Sequence, residues 1–314
     1  MKRIFCLYTG GTIACVDGPN GLAPQQGILS KLIADLAFKH IPDVAITLHE
    51  YATPLDSSAM TPHHWQQIAQ DIASRIDDFD GFVVLHGTDT MAWTGAALHW
   101  QLDHIHKPVI LTGSQRPWVH VGSDAPANML LALQSAASAP AGVQLAFGGL
   151  LLPAHCVKKL DADHDTAYAA PNAPKNTTSN DKDFTYLPLN PQQHILALKL
   201  YPGCETAITG MINSQTWDGI VVESYGSGNL PQHAALIAAL QAQADHGAVI
   251  INCTQCIAGE VRQGLYAAGS VFNTLGAWPA GRRSVEAATT WLYTHLARAP
   301  KDVLALAWQA IAVL

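Results

Sequence analysis

Charge is what this sequence has least of. Asp, Glu, Lys and Arg make up 13% of its 314 residues, well under the usual ~25%. Net charge is −7 with no basic cluster, which argues against nucleic acid as a partner. Long apolar runs are missing too. The stretch Gly148–Pro153 is strand-length, far short of the ~20 residues a membrane span needs, so no membrane partner is expected. Lys2 and Arg3 are followed by a segment broken at Thr9-Gly10-Gly11, with neither the apolar core nor the cleavage site of a signal peptide. A cytoplasmic protein is expected. The cysteines, at 6, 15, 156, 204, 253 and 256, form no dense framework, so reduced thiols are expected. Cys253-Thr254-Gln255-Cys256 has no second pair beside it, so no metal site is expected. The G-x-G-x-x-G and Walker patterns of phosphate-binding loops are absent, and so is the G-x-S-x-G of serine hydrolases.

What is present is apolar, at 49% of residues, enough for a large core and a subunit interface. Strand-like runs alternate with helical patterns. Residues 3–8, 44–51, 81–90, 108–114 and 147–153 read as strands; residues 27–40, 61–76, 91–102 and 125–138 read as helices. Thr61-Pro62 carries a helix-start signature, a capping hydroxyl followed by proline. This rhythm predicts an α/β protein whose parallel sheet is covered on both faces. Residues 171–195, rich in Pro, Asn and Thr, break it. The rhythm then resumes, with strands at 195–203, 219–226 and 248–255 and helices at about 284–298 and 300–312. The expected domains are a larger N-terminal, doubly wound (flavodoxin/Rossmann-like) domain at 1–180 and a smaller α/β domain at 196–314. Residues 181–195 are expected to link them.

Parallel sheets bind ligands outside the carboxyl ends of their strands. Polar turns fall there at Thr9–Thr12, Asp56-Ser57-Ser58 and His86–Thr90, and another polar stretch follows Leu150–Leu152 at 156–172. Each has a plain structural reading: a tight turn, a cap, a solvated surface. Their coincidence on one sheet points instead to a site. The chemistry it supports is nucleophilic. A threonine hydroxyl attacks a carbonyl when a lysine takes its proton and a carboxylate orients that lysine. Backbone N–H groups at the Gly turns can hold the oxyanion.

The motifs T-G-G-T-I (9–13), D-S-S-x-M (56–60), H-G-T-D-T-M (86–91), T-G-S-Q-x-P (112–117) and K-x-D-A-D (159–163) resemble the bacterial-type L-asparaginases, nearest the cytoplasmic type I branch. The likeness continues through residues 224–232 and 251–261. It implies two α/β domains, a homodimer or homotetramer, and hydrolysis of the small-molecule substrate L-asparagine without metal or cofactor. It implies Thr12 as nucleophile and Thr88, Asp89 and Lys159 as the second catalytic group. Gly11, Asp56, Ser57, Thr88, Asp89 and Ser114 would bind substrate. Asp89 suits the ammonium and Ser57 the carboxylate of an amino acid, and Asn229 would reach a neighbouring subunit's site.

The sequence departs from the family in places. Leu22 stands where the lid residue is usually tyrosine, so the Thr12 proton must leave by another route. Thr88 with Lys159 through water, Tyr8 and Tyr168 are all candidates. The covering loop, 16–27, holds Gly, Pro and Asn and reads as flexible rather than regular. At the family's effector site the matching positions are Lys158, Glu223 and Cys256. Glutamate replaces the arginine that would meet a substrate carboxylate, so activation by asparagine there is not expected. A dual glutaminase-asparaginase and a non-catalytic amino-acid-binding protein remain open as alternatives.

Overall fold

Period-two alternation is written into the first strand, β1 (Lys2–Gly10). Ile4, Cys6 and Tyr8 pack into one core, while Phe5 and Leu7 pack into another. A strand buried on both faces needs cover on both. The computed structural model describes residues 1–19, 21–174 and 182–311. These form two units, residues 1–173 with 182–188 and residues 174 with 189–311.

In the first unit β1 is followed by β2 (Cys15–Gly18), β3 (Gly21–Pro24), α1 (Ile28–His40), β4 (Val44–Leu55), α2 (Pro62–Ala73), β5 (Gly81–Leu85) and α3 (Met91–Gln101). Next come β6 (Leu102–Asp103), β7 (Pro108–Thr112), α4 (Ala125–Ser138), β8 (Gly142–Phe147), β9 (Leu150–Pro153), β10 (Lys158–Lys159), β11 (Tyr168–Ala169) and β12 (Thr185–Tyr186). The main sheet has the order β4-β1-β5-β7-β8-β9. Its first five strands are parallel. Leu29 and Ile33 of α1 and Met129 and Leu133 of α4 bury against one face; Ile68 and Ile72 of α2 and Met91 and Leu98 of α3 bury against the other. This is the doubly wound α/β arrangement. Its topological switch point lies between β1 and β5, which leave for opposite sides and so open a crevice at their carboxyl ends.

Three expectations change. The strand expected at 147–153 is the second arm of a hairpin, with β9 antiparallel to β8. Gly148 (φ 58°) and Gly149 (φ 80°) supply the two left-handed residues of a tight reversing turn. The polar stretch at 156–172 therefore does not leave from the carboxyl end of a parallel strand. The covering loop is regular: β2 pairs with β3, with Asp17 opposite Leu22 and Cys15 opposite Pro24. The linker is narrower than 181–195, because Thr185–Tyr186 pairs with Leu102–Asp103 and joins the first unit. Residues 175–181 of the polar break lie outside the described residues.

The second unit contains β13 (Ile195–Lys199), α5 (Glu205–Ile212), β14 (Gly219–Ser224), α6 (Ala234–Asp245), β15 (Val249–Thr254), α7 (Ala267–Thr274), β16 (Trp278–Pro279), α8 (Val285–His295) and α9 (Lys301–Ile311). Its sheet, β13-β14-β15-β16, is parallel. Trp291 packs edge-on against Trp308 at 5.0 Å, and the Arg283 guanidinium lies 3.7 Å above the Trp308 ring. Among the described residues no helix is long and apolar enough to cross a membrane.

Candidate active site

The crevice between β1 and β5 is built by close backbone contact. Gly11 follows β1 with φ 99°, and a Cβ there would come within 2.6 Å of the Gly87 nitrogen. A Cβ on Gly87 would in turn lie 2.5 Å from Ser57 Oγ. Only glycine lets these turns meet, and it tolerates the positive φ. Side chains lock the approach. Thr9 Oγ1 donates to Leu85 O at 2.9 Å, and Thr90 Oγ1 donates to Ser57 O at 2.7 Å. Thr12 opens a short 3-10 turn, Thr12–Ala14, in which Ile13 and Ala14 are buried and Thr12 is half-buried. The Trp118 N–H donates to Ile13 O, holding that turn from the next loop.

Lys159 arrives from outside the parallel strands. Its ammonium donates to Thr88 Oγ1 at 2.9 Å and to Asp89 Oδ1 at 2.8 Å. The lysine side chain is 18% exposed and the Asp89 carboxylate 64% exposed, so the cation is sheltered while the anion faces solvent. In β10, Lys159 lies directly opposite Tyr168 of β11. The Tyr168 phenol donates to Thr88 O. Tyr168 is 3% exposed and packs edge-on against Phe147 at 5.0 Å; burial pushes its phenol above the ordinary tyrosine range. Past Lys159 the chain is turned by Asp161, whose Oδ1 accepts from the Asp163 and His164 N–H groups. Those bonds hold its carboxyl below the usual carboxylate range. Arg116 then binds Asp165 at 2.8 Å, tying this arm to the loop after β7.

His86 sits at the base of the second turn, fully enclosed. Nδ1 lies 2.7 Å from Gly87 O and Nε2 lies 2.9 Å from Thr94 Oγ1. A carbonyl only accepts, so Nδ1 carries the hydrogen and Nε2 accepts from the threonine. Burial outweighs the carbonyl bond and lowers the His86 pKa to about 4.

The candidates named from sequence separate into groups. Gly11, Ser57, Thr88 and Asp89 are brought to one crevice with Lys159, and Thr12 follows Gly11. Asp56 acts as a cap, its Oδ1 accepting from Ser58 N at 2.9 Å. Ser114 is 1% exposed and its hydroxyl donates to Arg116 O at 2.6 Å, so it shapes a loop. Leu22 is 50% exposed on β3. Tyr8 OH is 3.5 Å from Gly11 O, and the Tyr168 proton is committed to Thr88 O. Asn229 belongs to the second unit, where its backbone pairs with Tyr225. Glu223 is the next-to-last residue of β14 and pairs with Lys199 of β13. Two buttressing groups, Gln115 and Asp124, escaped notice. Gln115 stands inside the T-G-S-Q-x-P motif, and a polar residue at the mouth of a buried strand is the signal that marks it.

Comparison with known proteins finds matches along both units of the chain. The family model described as "Asparaginase, N-terminal" matches residues 3–189, and "Glutaminase/Asparaginase C-terminal domain" matches residues 194–303. The L-asparaginase 1 of Escherichia coli is 38% identical over 95% of this chain and 92% of its own length. The crystal structure of L-asparaginase I from Vibrio cholerae superposes with a TM-score of 0.85 at 34% identity, covering 98% of this chain and 96% of that one. The thermostable L-asparaginase of Thermococcus kodakarensis gives a TM-score of 0.87 at 26% identity, with 98% of this chain and 96% of that one covered.

Proposed function

Since the chain belongs to the asparaginase family through both of its domains, we propose that it is a cytoplasmic L-asparaginase. It hydrolyses the side-chain amide of L-asparagine to L-aspartate and ammonia. The observation that carries this reading is the Lys159 ammonium bridging Thr88 Oγ1 and Asp89 Oδ1 in the crevice where Gly11 meets Gly87.

The substrate ammonium approaches the exposed Asp89 carboxylate and competes with Lys159 for it, so binding frees the lysine. Ser57 Oγ, held by its turn, faces the substrate carboxylate. The freed lysine gives a proton to solvent water; Thr12 Oγ then forms a bond to the amide carbon, and its proton passes through water and Thr88 to the neutral Lys159 amine. Electrons move onto the carbonyl oxygen, where backbone N–H groups near Gly11 meet the charge. The C–N bond then breaks, the nitrogen takes that proton back from Lys159, and ammonia departs, leaving an aspartyl ester on Thr12. Water attacks the ester carbon and restores the hydroxyl. Leu22 has no proton to relay, so the step does not run through the lid. Neither a metal nor a cofactor enters this scheme.

Low overall charge and the exposed apolar side chains Ile257, Leu265 and Tyr266 support a homodimer or homotetramer. In it, Asn229 would reach a neighbouring subunit's site.

Ammonia release from L-asparagine and L-glutamine tests the reading, with wild type beside Thr12→Ala and Lys159→Met. Turnover of asparagine that disappears in both variants supports it. Equal turnover of glutamine extends it to a dual amidohydrolase. No ammonia from either substrate sinks it in favour of an amino-acid-binding protein.

A further inference from the structure

We infer that Gln115 is a positioning residue that sets the direction of the Thr88 hydroxyl proton and fixes the loop carrying Lys159. The inference rests on the reading of Thr88 and Lys159 as part of the reacting group.

A glutamine amide has one accepting oxygen and one NH2 with two hydrogens. Gln115 Nε2 lies 3.0 Å from Ala162 O and 3.2 Å from His164 O. Both partners are backbone carbonyls, which only accept, so both amide hydrogens are assigned. The orientation of the amide follows from that chemistry. Its oxygen, Oε1, faces Thr88 Oγ1 at 3.3 Å and must accept there. Thr88 has a single hydroxyl hydrogen, and giving it to Gln115 leaves a lone pair for Lys159 Nζ at 2.9 Å. The donor direction therefore runs from Lys159 to Thr88 to Gln115.

At rest this arrangement keeps the threonine hydrogen on its own oxygen and directs it away from Lys159. The Thr88–Gln115 bond is long at 3.3 Å, so the hydrogen can turn from Gln115 toward Lys159 Nζ after the lysine has given its own proton to solvent water. A stronger acceptor would hold it back, and an apolar side chain would leave it undirected.

The amide also acts on the lysine from behind. Ala162 and His164 lie just past Lys159 in the chain, so one side chain steadies both members of the pair. Gln115 is itself fixed. Its backbone N–H donates to Asp124 Oδ2 at 2.9 Å, and the Arg116 N–H donates to Asp124 Oδ1 at 3.0 Å. Asn128 Nδ2 donates to Asp124 Oδ2 and to Gly113 O, each at 3.0 Å.

The test compares wild type, Gln115→Leu, Gln115→Glu, Thr88→Ala and the Gln115→Leu/Thr88→Ala double variant. Steady-state ammonia release from L-asparagine is followed across pH, with a melting curve for each protein. Gln115→Leu is expected to lower kcat about tenfold, less than the roughly 100- to 10,000-fold of groups that transfer the proton themselves, while KM changes less than about twofold. Adding Gln115→Leu to Thr88→Ala should slow the enzyme by less than Gln115→Leu slows wild type, because the share of the effect that runs through that hydroxyl is already gone and only the hold on the Lys159 loop remains to be lost. Gln115→Glu retains an acceptor for Thr88 and brings a negative charge toward Lys159, but like Gln115→Leu it donates nothing to Ala162 O or His164 O. It should keep more activity than Gln115→Leu and move the pH–kcat profile to higher pH; it also carries the test if the leucine variant melts early. A Gln115→Leu enzyme with wild-type kcat and an unmoved profile overturns the inference. So does a kcat loss that multiplies independently with that of Thr88→Ala. Full activity in Thr88→Ala overturns the reading beneath it, and the inference with it.

Discussion

Lys159 and Tyr168 face each other across a two-residue antiparallel ladder, and both reach Thr88. The lysine donates to the hydroxyl, and the phenol donates to the carbonyl of the same residue. Thr88 is thus gripped at side chain and backbone by one small hairpin that the main sheet does not contain. Tyr168→Phe keeps the ring packed on Phe147 but leaves the carbonyl unpaired. The expected cost in urea unfolding is about 1–2 kcal/mol. The kcat for asparagine should fall further than this loss of stability explains, with KM nearly unchanged. A variant as active as wild type would assign Tyr168 to packing alone.

Gly11 is the tightest point of the crevice. Gly11→Ala puts a methyl group 2.6 Å from the Gly87 nitrogen, at φ 99°, where no flexible side chain can yield. Displacing reacting groups by about 1 Å costs on the order of 100-fold in rate, so kcat should drop at least that far. Unfolding should cost about 2 kcal/mol or more. Ammonia release and thermal melting together measure both effects.

His86 makes stability depend on pH in acid. Its folded-state pKa is about 4, against 6.5 for the free side chain. Between those values the unfolded chain binds a proton that the folded chain refuses, so stability falls as pH drops from 6.5 toward 4. Above 6.5 this group contributes no slope. At pH 5 the loss from His86 is about 2 kcal/mol. Urea unfolding at pH 7 and pH 5 should show that difference shrinking by about this amount in His86→Gln. An unchanged difference would mean that His86 titrates normally.

Leu22 lies half-exposed on the lid hairpin, opposite Asp17. Leu22→Tyr adds a hydroxyl at an exposed position, where substitutions alter stability little. If the lid position lacks only a proton relay, kcat should rise severalfold with an unchanged melting temperature. A fall in kcat would show that the proton leaves by a route that the new side chain obstructs.

Much of this fold was legible because its strands are buried on both faces. Runs such as Phe82–Leu85 and Val109–Leu111 declare themselves, and the polar turns behind them mark the crevice. The hairpin β8–β9 was missed because Gly148-Gly149 interrupts one continuous apolar stretch, and periodicity cannot tell a bend from a reversal. The lid hairpin was missed because Gly and Pro, usual markers of loops, here sit in a short exposed ladder. Within the site, residue type alone does not say where a hydroxyl or amide points. Ser114 looked like a ligand group and instead closes a turn on Arg116 O. Gln115, one position further, holds Thr88. That distinction appears only when the loop after β7 is folded against the Lys159 arm.

The most direct test of the central claim is where the covalent intermediate forms. The enzyme would be mixed with L-asparagine, quenched in acid within the first turnovers, and digested for mass spectrometry. The account predicts one aspartyl group esterified to the peptide containing Thr12, absent from Thr12→Ala, whose ammonia release is also lost. An ester on the peptide containing Thr88, or rapid turnover by Thr12→Ala, would contradict it.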